Sequence, residues 1–120
     1  MGPTVLIVDD HPGFRRMARR MLEEGGFDVV AEAVDAAGAL ASVHEHRPQL
    51  VLLDVQLPDL DGFAVAEALA VGADSPVVVL TSSRSASDYG SRVDRSPAQG
   101  FVPKAELSGL AVTELFRAAR

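Results

Sequence analysis

Three short runs of the chain contain only aliphatic side chains: Val5–Val8, Leu50–Leu53 and Val77–Leu80. An unbroken apolar run of this length, flanked by turn residues, reads as a strand buried on both faces. Such strands belong in the interior of a parallel sheet covered by helices on either side. Each run also ends on polar residues: Asp9 and Asp10 after the first, Asp54 after the second, Thr81 after the third. A carboxylate at the point where a central strand leaves the core is costly unless it has a cation, a set of donors or a chemical task.

Between these runs the spacing changes to that of helices. Phe14, Met17, Ala18, Met21 and Leu22 fall on one helical face, with Pro12 suited to the first turn and Gly25-Gly26 to the end. Arg15, Arg16, Arg19 and Arg20 take the opposite face and read as solvated. Val29-Val30-Ala31, interrupted by Glu32, is a weaker strand suited to a sheet edge. Asp35 to His46 is predicted helical, with Leu40, Val43 and the alanines inward. His44 and His46 stand two apart on that helix and diverge, so they read as surface rather than as a metal pair. Asp59 and Asp61 read as turn and capping residues, followed by a short helix from Phe63 to Val71. Arg84 to Ser96 is serine-rich and lacks apolar periodicity, which predicts a short, poorly anchored element. Gly100 to Lys104 is a fifth strand, at an edge because Pro103 cannot donate to a ladder. Leu107 to about Arg120 closes the chain as a helix, with Val112, Leu115, Phe116 and Ala119 at helical spacing.

Five alternations of strand and helix predict an α/β fold: a doubly wound five-stranded parallel sheet with right-handed crossovers. With the three wholly apolar strands interior and the two compromised strands at the edges, the order becomes 2-1-3-4-5, the flavodoxin-like (βα)5 arrangement, whose crevice opens between the first and third strands. Asp9, Asp10, Asp54, Thr81 and Lys104 then converge on one carboxyl edge. Three carboxylates gathered there repel, at about 4 kcal/mol for two unit charges ~4 Å apart at an effective dielectric near 20. The pocket therefore calls for a divalent cation, and an oxygen donor set suits Mg²⁺ or Mn²⁺. A hydroxyl and an ammonium facing that ion are what a phosphoryl group needs to have its oxygens neutralised.

Composition narrows the classes further. At 120 residues, 48% hydrophobic and 23% charged, the chain is expected to form one domain over residues 1–120. No apolar run approaches the roughly 20 residues of a membrane-spanning helix, and Met1-Gly2-Pro3-Thr4 lacks the features of a secretory leader. With no cysteine, a cytoplasmic protein is expected. A net charge of −6 argues against direct nucleic-acid binding.

Leu6-Ile7-Val8-Asp9-Asp10-His11-Pro12, Leu52-Leu53-Asp54 with Leu57-Pro58-Asp59-Leu60-Asp61-Gly62, Val79-Leu80-Thr81-Ser82 and Gly100-Phe101-Val102-Pro103-Lys104 together resemble the receiver domain of two-component response regulators, the chemotaxis-regulator-like fold. The opening motif is most similar to receivers attached to LuxR-type helix-turn-helix domains. The resemblance implies a phosphorylation switch rather than an enzyme acting on an external substrate. Asp54 would accept a phosphoryl group from a histidine kinase. Asp9, Asp10, Asp54 and the Gln56 backbone carbonyl would hold Mg²⁺, Thr81 and Lys104 would contact phosphoryl oxygens, and Thr81 and Phe101 would carry the switch. Expected partners are a histidine kinase, a downstream output domain or protein, and a second copy of the chain on phosphorylation. Weak packing marks the segment Arg84 to Ser96 as the element expected to reorganise.

One departure from the family pattern is that proline precedes Lys104 and Ala105 follows it, which removes the usual basis for a cis peptide there. Two other readings compete. The same domain could dock or dimerise without phosphate. A Mg²⁺-dependent aspartyl phosphatase of the haloacid dehalogenase type would need a second acid two residues after Asp54, where Gln56 stands.

Overall fold

A computed structural model describes residues 2–72 and 75–119; Arg120, assigned above to the closing helix, lies outside the described residues. Five parallel strands form one sheet: β1 (Thr4–Val8), β2 (Asp28–Ala33), β3 (Leu50–Asp54), β4 (Val77–Ser82) and β5 (Gly100–Pro103). Their order is β2-β1-β3-β4-β5, as expected from the two compromised strands. β1, β3 and β4 are interior, and nearly every residue in them is buried.

The helices are α1 (Pro12–Glu24), α2 (Ala36–His46), α3 (Gly62–Leu69), α4 (Ser91–Arg95) and α5 (Gly109–Ala118). Two apolar cores result, one on each side of the sheet. Leu6, Val8, Val51, Leu53 and Leu80 point towards α2 and α3 residues such as Ala39, Phe63 and Leu69. Val5, Ile7, Leu50, Leu52 and Val79 point to the side of Ala18, Leu22, Val112 and Phe116. Alternation along each strand feeds both faces, which is why these strands contain no polar interruption.

Several helix ends follow from their residues. Pro12 opens α1 at its first turn, while Gly26, at φ 92°, donates to Glu23 O and lets Phe27 donate back to Leu22 O. Asp35 and Asp61 cap α2 and α3 through Gly38 N–H and Ala64 N–H. Asp59 has a longer reach, accepting from Ala36 N–H at 2.8 Å and Ala37 N–H at 3.1 Å. The loop after β3 thereby completes the N-terminus of α2, and these donors hold the Asp59 carboxyl below its ordinary value.

Some expectations are corrected. Met17 and Leu40, assigned to inward faces, are 46% and 39% exposed, and Ala119 is exposed as well. Each sits at the margin of its helix's apolar stripe, beyond the reach of the sheet. Arg15 and Arg19 are not simply solvated: their Nε atoms bind the two oxygens of Glu32 at 3.0 and 2.7 Å. Burial raises the Glu32 carboxyl, but these two arginines outweigh it and hold the group low. Glu32, the residue that interrupts strand β2, is therefore the tie between α1 and that edge strand. The closing helix starts later than expected, because Lys104–Glu106 form a 3-10 turn before Ser108 caps α5. Among the described residues there are no cis peptide bonds.

The segment Arg84 to Ser96 is short-ranged, as expected, with a 3-10 turn over Ala86–Tyr89 and the five-residue α4, and none of these residues is buried. It is nonetheless tethered at two points. The Tyr89 hydroxyl lies 2.7 Å from Ser82 Oγ, and its ring packs edge-on against Phe63 and Phe101. Arg92 binds Asp61 at 2.7 Å and covers the Phe63 ring. Burial raises the Asp61 carboxyl, while the hydrogen bonds from Arg92 and Ala64 bring it below the ordinary range.

Candidate phospho-acceptor site

The pocket lies at the carboxyl ends of β1, β3 and β4, where the chain leaves the sheet in opposite directions. The register places Val8 beside Leu53 and Asp54 beside Thr81, which brings the two acidic strand ends together. Asp9 is fully buried and held extended by its N–H, which donates to Ala33 O at 3.0 Å. Asp10 is exposed at the rim. Asp54 is 2% exposed, and one of its oxygens accepts from Gln56 N–H at 3.3 Å.

Gly62 shapes the loop between them. Its N–H donates to Val55 O at 2.7 Å, and a Cβ at this position would stand 2.5 Å from Asp54 O and 2.8 Å from Val55 Cα. The loop from Val55 to Asp61 can close over the end of β3 only because residue 62 has no side chain.

Lys104 enters from the turn after β5. Its Nζ is 2.7 Å from Asp9 Oδ2 and 3.6 Å from Asp54 Oδ2, and it lies 4.3 Å from the centre of the Phe14 ring. Two buried carboxylates thus share one ammonium. Burial is the main cause that raises the Asp54 carboxyl, followed by the charge of Asp9; Lys104 and the Gln56 N–H oppose them, and the group is pushed up to about 6 from an ordinary 3.8. Asp9 Oδ2 takes its close positive charge from Lys104, at 2.7 Å. Three carboxylates beside a single ammonium leave negative charge that fits a cation with oxygen ligands. Asp9, Asp10, His11 and Asp54 each offer one ligand atom within 4.8 Å of the others.

Of the residues singled out in the sequence, Lys104 meets Asp9 and Asp54 directly, Asp10 lies at the rim with a carboxylate oxygen within 4.8 Å of theirs, and Gln56 adjoins Asp54. Thr81 is buried at the same edge, but its hydroxyl donates to Val102 O at 2.7 Å, towards β5. Phe101 lies outside the acidic cluster, half-buried against Tyr89. Sequence reasoning missed four neighbours: His11, the Phe14 ring over Lys104, Arg15, which donates to Asp9 O at 2.8 Å, and Tyr89. His11 carried a signal, since it follows the acid pair directly; the other three depend on packing between elements.

Fold and pocket together define a class: a doubly wound parallel domain with a lysine-bridged acidic pocket at its switch point. The chain belongs to the response regulator receiver domain family, whose model matches residues 5–114. It is a receiver domain of two-component signalling, a signalling switch; receiver domains are partnered with histidine kinases and bind Mg²⁺ at an acidic pocket. It is 45% identical over 87 residues to the transcriptional regulatory protein PrrA of Mycobacterium tuberculosis, covering 72% of this chain and 37% of that protein. It is 30% identical over 101 residues to the DNA-binding transcriptional activator EvgA of Escherichia coli, covering 84% and 50%. A protein-glutamate methylesterase/protein-glutamine glutaminase of Hahella chejuensis is 37% identical over 84 residues, covering 70% and 24%. The chain therefore spans half or less of the length of these curated relatives.

Among solved structures, the signal receiver domain of NarL from Mycobacterium tuberculosis superposes with a TM-score of 0.82 at 33% identity, covering 98% of this chain and 93% of that one. A LuxR-family response regulator from Aurantimonas gives 0.85 at 26% identity, covering 99% and 85%. No helix among the described residues is long and apolar enough to cross a membrane.

Proposed function

We propose that Asp54 is the phospho-acceptor of this receiver and that residues 1–120 form one switching domain. The observation that carries this reading is the shared ammonium: Lys104 stands 2.7 Å from Asp9 and 3.6 Å from Asp54 at the mouth of the sheet. An Asp54 oxygen attacks the phosphorus of a kinase phosphohistidine; the O–P bond forms, the P–N bond breaks, and the imidazole nitrogen leaves with the bonding pair and takes up a proton. At neutral pH a carboxyl at about 6 is mostly ionised, as a nucleophile must be. Asp9, Asp10, Asp54 and the Gln56 carbonyl hold Mg²⁺, which supplies positive charge against the phosphoryl oxygens when bound. Lys104 pairs with one phosphoryl oxygen. Thr81 takes another, and to do so its hydroxyl must give up Val102 O. That exchange, with Phe101 repacking beside it, is the switch.

The domain acts in the cytoplasm. Its output is an attached or separate partner, and control of transcription is the output that the PrrA and EvgA relatives favour. The chain, at −6, does not itself bind DNA, and phosphorylation promotes pairing with a second copy. Incubation with Mg²⁺ and acetyl phosphate is expected to add one phosphoryl mass to the wild type and none to Asp54→Asn. No added mass in either protein would favour a phosphate-independent docking module.

A further inference from the structure

The acidic pocket contains a nitrogen donor that the phospho-acceptor reading leaves unused. His11 follows the acid pair and precedes Pro12 at the start of α1, and its backbone N–H donates to Asp9 Oδ1 at 2.8 Å. This bond returns the imidazole towards the carboxylates: Nδ1 stands 3.1 Å from Asp9 Oδ1 and 3.1 Å from Asp10 Oδ1. Neighbouring donors around an octahedral ion at about 2.1 Å are separated by about 3.0 Å. At 3.1 Å the contact with Asp9 is a hydrogen bond, and an ion entering between the acids would exchange it for a metal–nitrogen bond at nearly the same donor spacing; the three carboxylates and His11 lie in one cluster.

The charge in the cluster points to a cation. Asp9 is fully buried, and its Oδ2 is paired with the Lys104 ammonium at 2.7 Å. That one ammonium does not balance three carboxylates. The ring is 70% exposed, so it can turn to present Nδ1 to an ion without disturbing the core.

We propose that His11 joins Asp9, Asp10 and Asp54 as a metal ligand. The pocket thereby binds Zn²⁺ more tightly relative to Mg²⁺ than an all-oxygen set would, and Mn²⁺ serves as the spectroscopic probe of nitrogen ligation. This rests on the reading of the acids as a metal pocket. The chemistry is that of ligand softness: Mg²⁺ keeps oxygen ligands and water, whereas imidazole suits the later, softer ions.

The test compares wild type with His11→Ala, whose fold is checked by circular dichroism. Zn²⁺ and Mg²⁺ affinities are measured by calorimetry at one pH, and bound Mn²⁺ is examined by pulsed electron paramagnetic resonance for coupling to ¹⁴N. Removal of the imidazole is expected to weaken Zn²⁺ by about tenfold and Mg²⁺ by less than about twofold, and to abolish the nitrogen coupling seen in the wild type. Equal Zn²⁺ affinities in the two proteins, or no nitrogen coupling in the wild type, would overturn the role of His11 and leave the Mg²⁺ pocket standing. Mg²⁺ affinity unaffected by Asp9→Asn would overturn the pocket itself, a separate outcome read from a different variant.

Discussion

Gly62 shows how much of the site one missing methyl group supports. Its would-be Cβ meets backbone atoms of Asp54 and Val55, which cannot swing aside as a flexible side chain could. Gly62→Ala is expected to destabilise the protein by about 1–3 kcal/mol, the range of overpacked core sites. It should also weaken Mg²⁺ binding, because the strand end carrying Asp54 must shift. Urea unfolding and Mg²⁺ titration together check this, and an unchanged midpoint would mean that the loop yields freely. In the sequence Gly62 appeared only as part of a turn, because a close approach between Asp54 and residue 62 depends on the path of the loop. Asp9, Asp10 and Asp54 were legible for the opposite reason: they stand at the ends of strands whose apolar pattern is unambiguous, and Lys104, after the weaker edge strand, is placed by the strand order. The acceptor that holds the Thr81 hydroxyl, Val102 O, was not legible, since it belongs to the neighbouring strand.

The segment from Arg84 to Ser96 is where the sequence was least informative. Its lack of periodicity indicated a short, poorly anchored element; the elements are short, but two side chains, Tyr89 and Arg92, anchor them to partners on β4, β5, α3 and the turn before α3. Thr81 and Ser82 are consecutive on β4, so a movement that frees the Thr81 hydroxyl from Val102 O disturbs the Ser82 contact with Tyr89. Tyr89 is the one tyrosine of a chain without tryptophan, so its emission reports this contact directly. Addition of beryllofluoride and Mg²⁺ is expected to change that emission in the wild type and to leave Asp54→Asn unchanged. Flat emission in a wild type that binds beryllofluoride, as seen by ¹⁹F resonance, would show that the segment does not sense the site. The solvated reading of Arg15 and Arg19 failed for a similar reason: helical spacing assigns a face, but a carboxylate on a neighbouring strand decides what that face meets.

For the molecule as a whole, the acidic pocket should make stability depend on pH and on metal together. The raised Asp54 carboxyl means that the folded state holds this proton more tightly than the unfolded chain. Its contribution is fully present below the ordinary 3.8 and is lost as pH rises through about 6. Glu32 and Asp61, whose carboxyls are held low, act in the opposite sense, and their contribution fades only as pH falls below the ordinary carboxylate range. Without metal, the thermal midpoint is therefore expected to rise between pH 7 and pH 5 and to fall again in stronger acid. Saturating Mg²⁺ should raise the midpoint at pH 7 and lose its effect towards pH 5, as the proton and the ion compete for Asp54. A metal-free midpoint that declines steadily from pH 7 would contradict the burial of an ionised Asp54. The Asp59 carboxylate extends the pocket's influence sideways. Because it holds the first amides of α2 while sitting on the loop that follows the acceptor, the tip of the neighbouring helix is fastened to that loop as well as to the sheet.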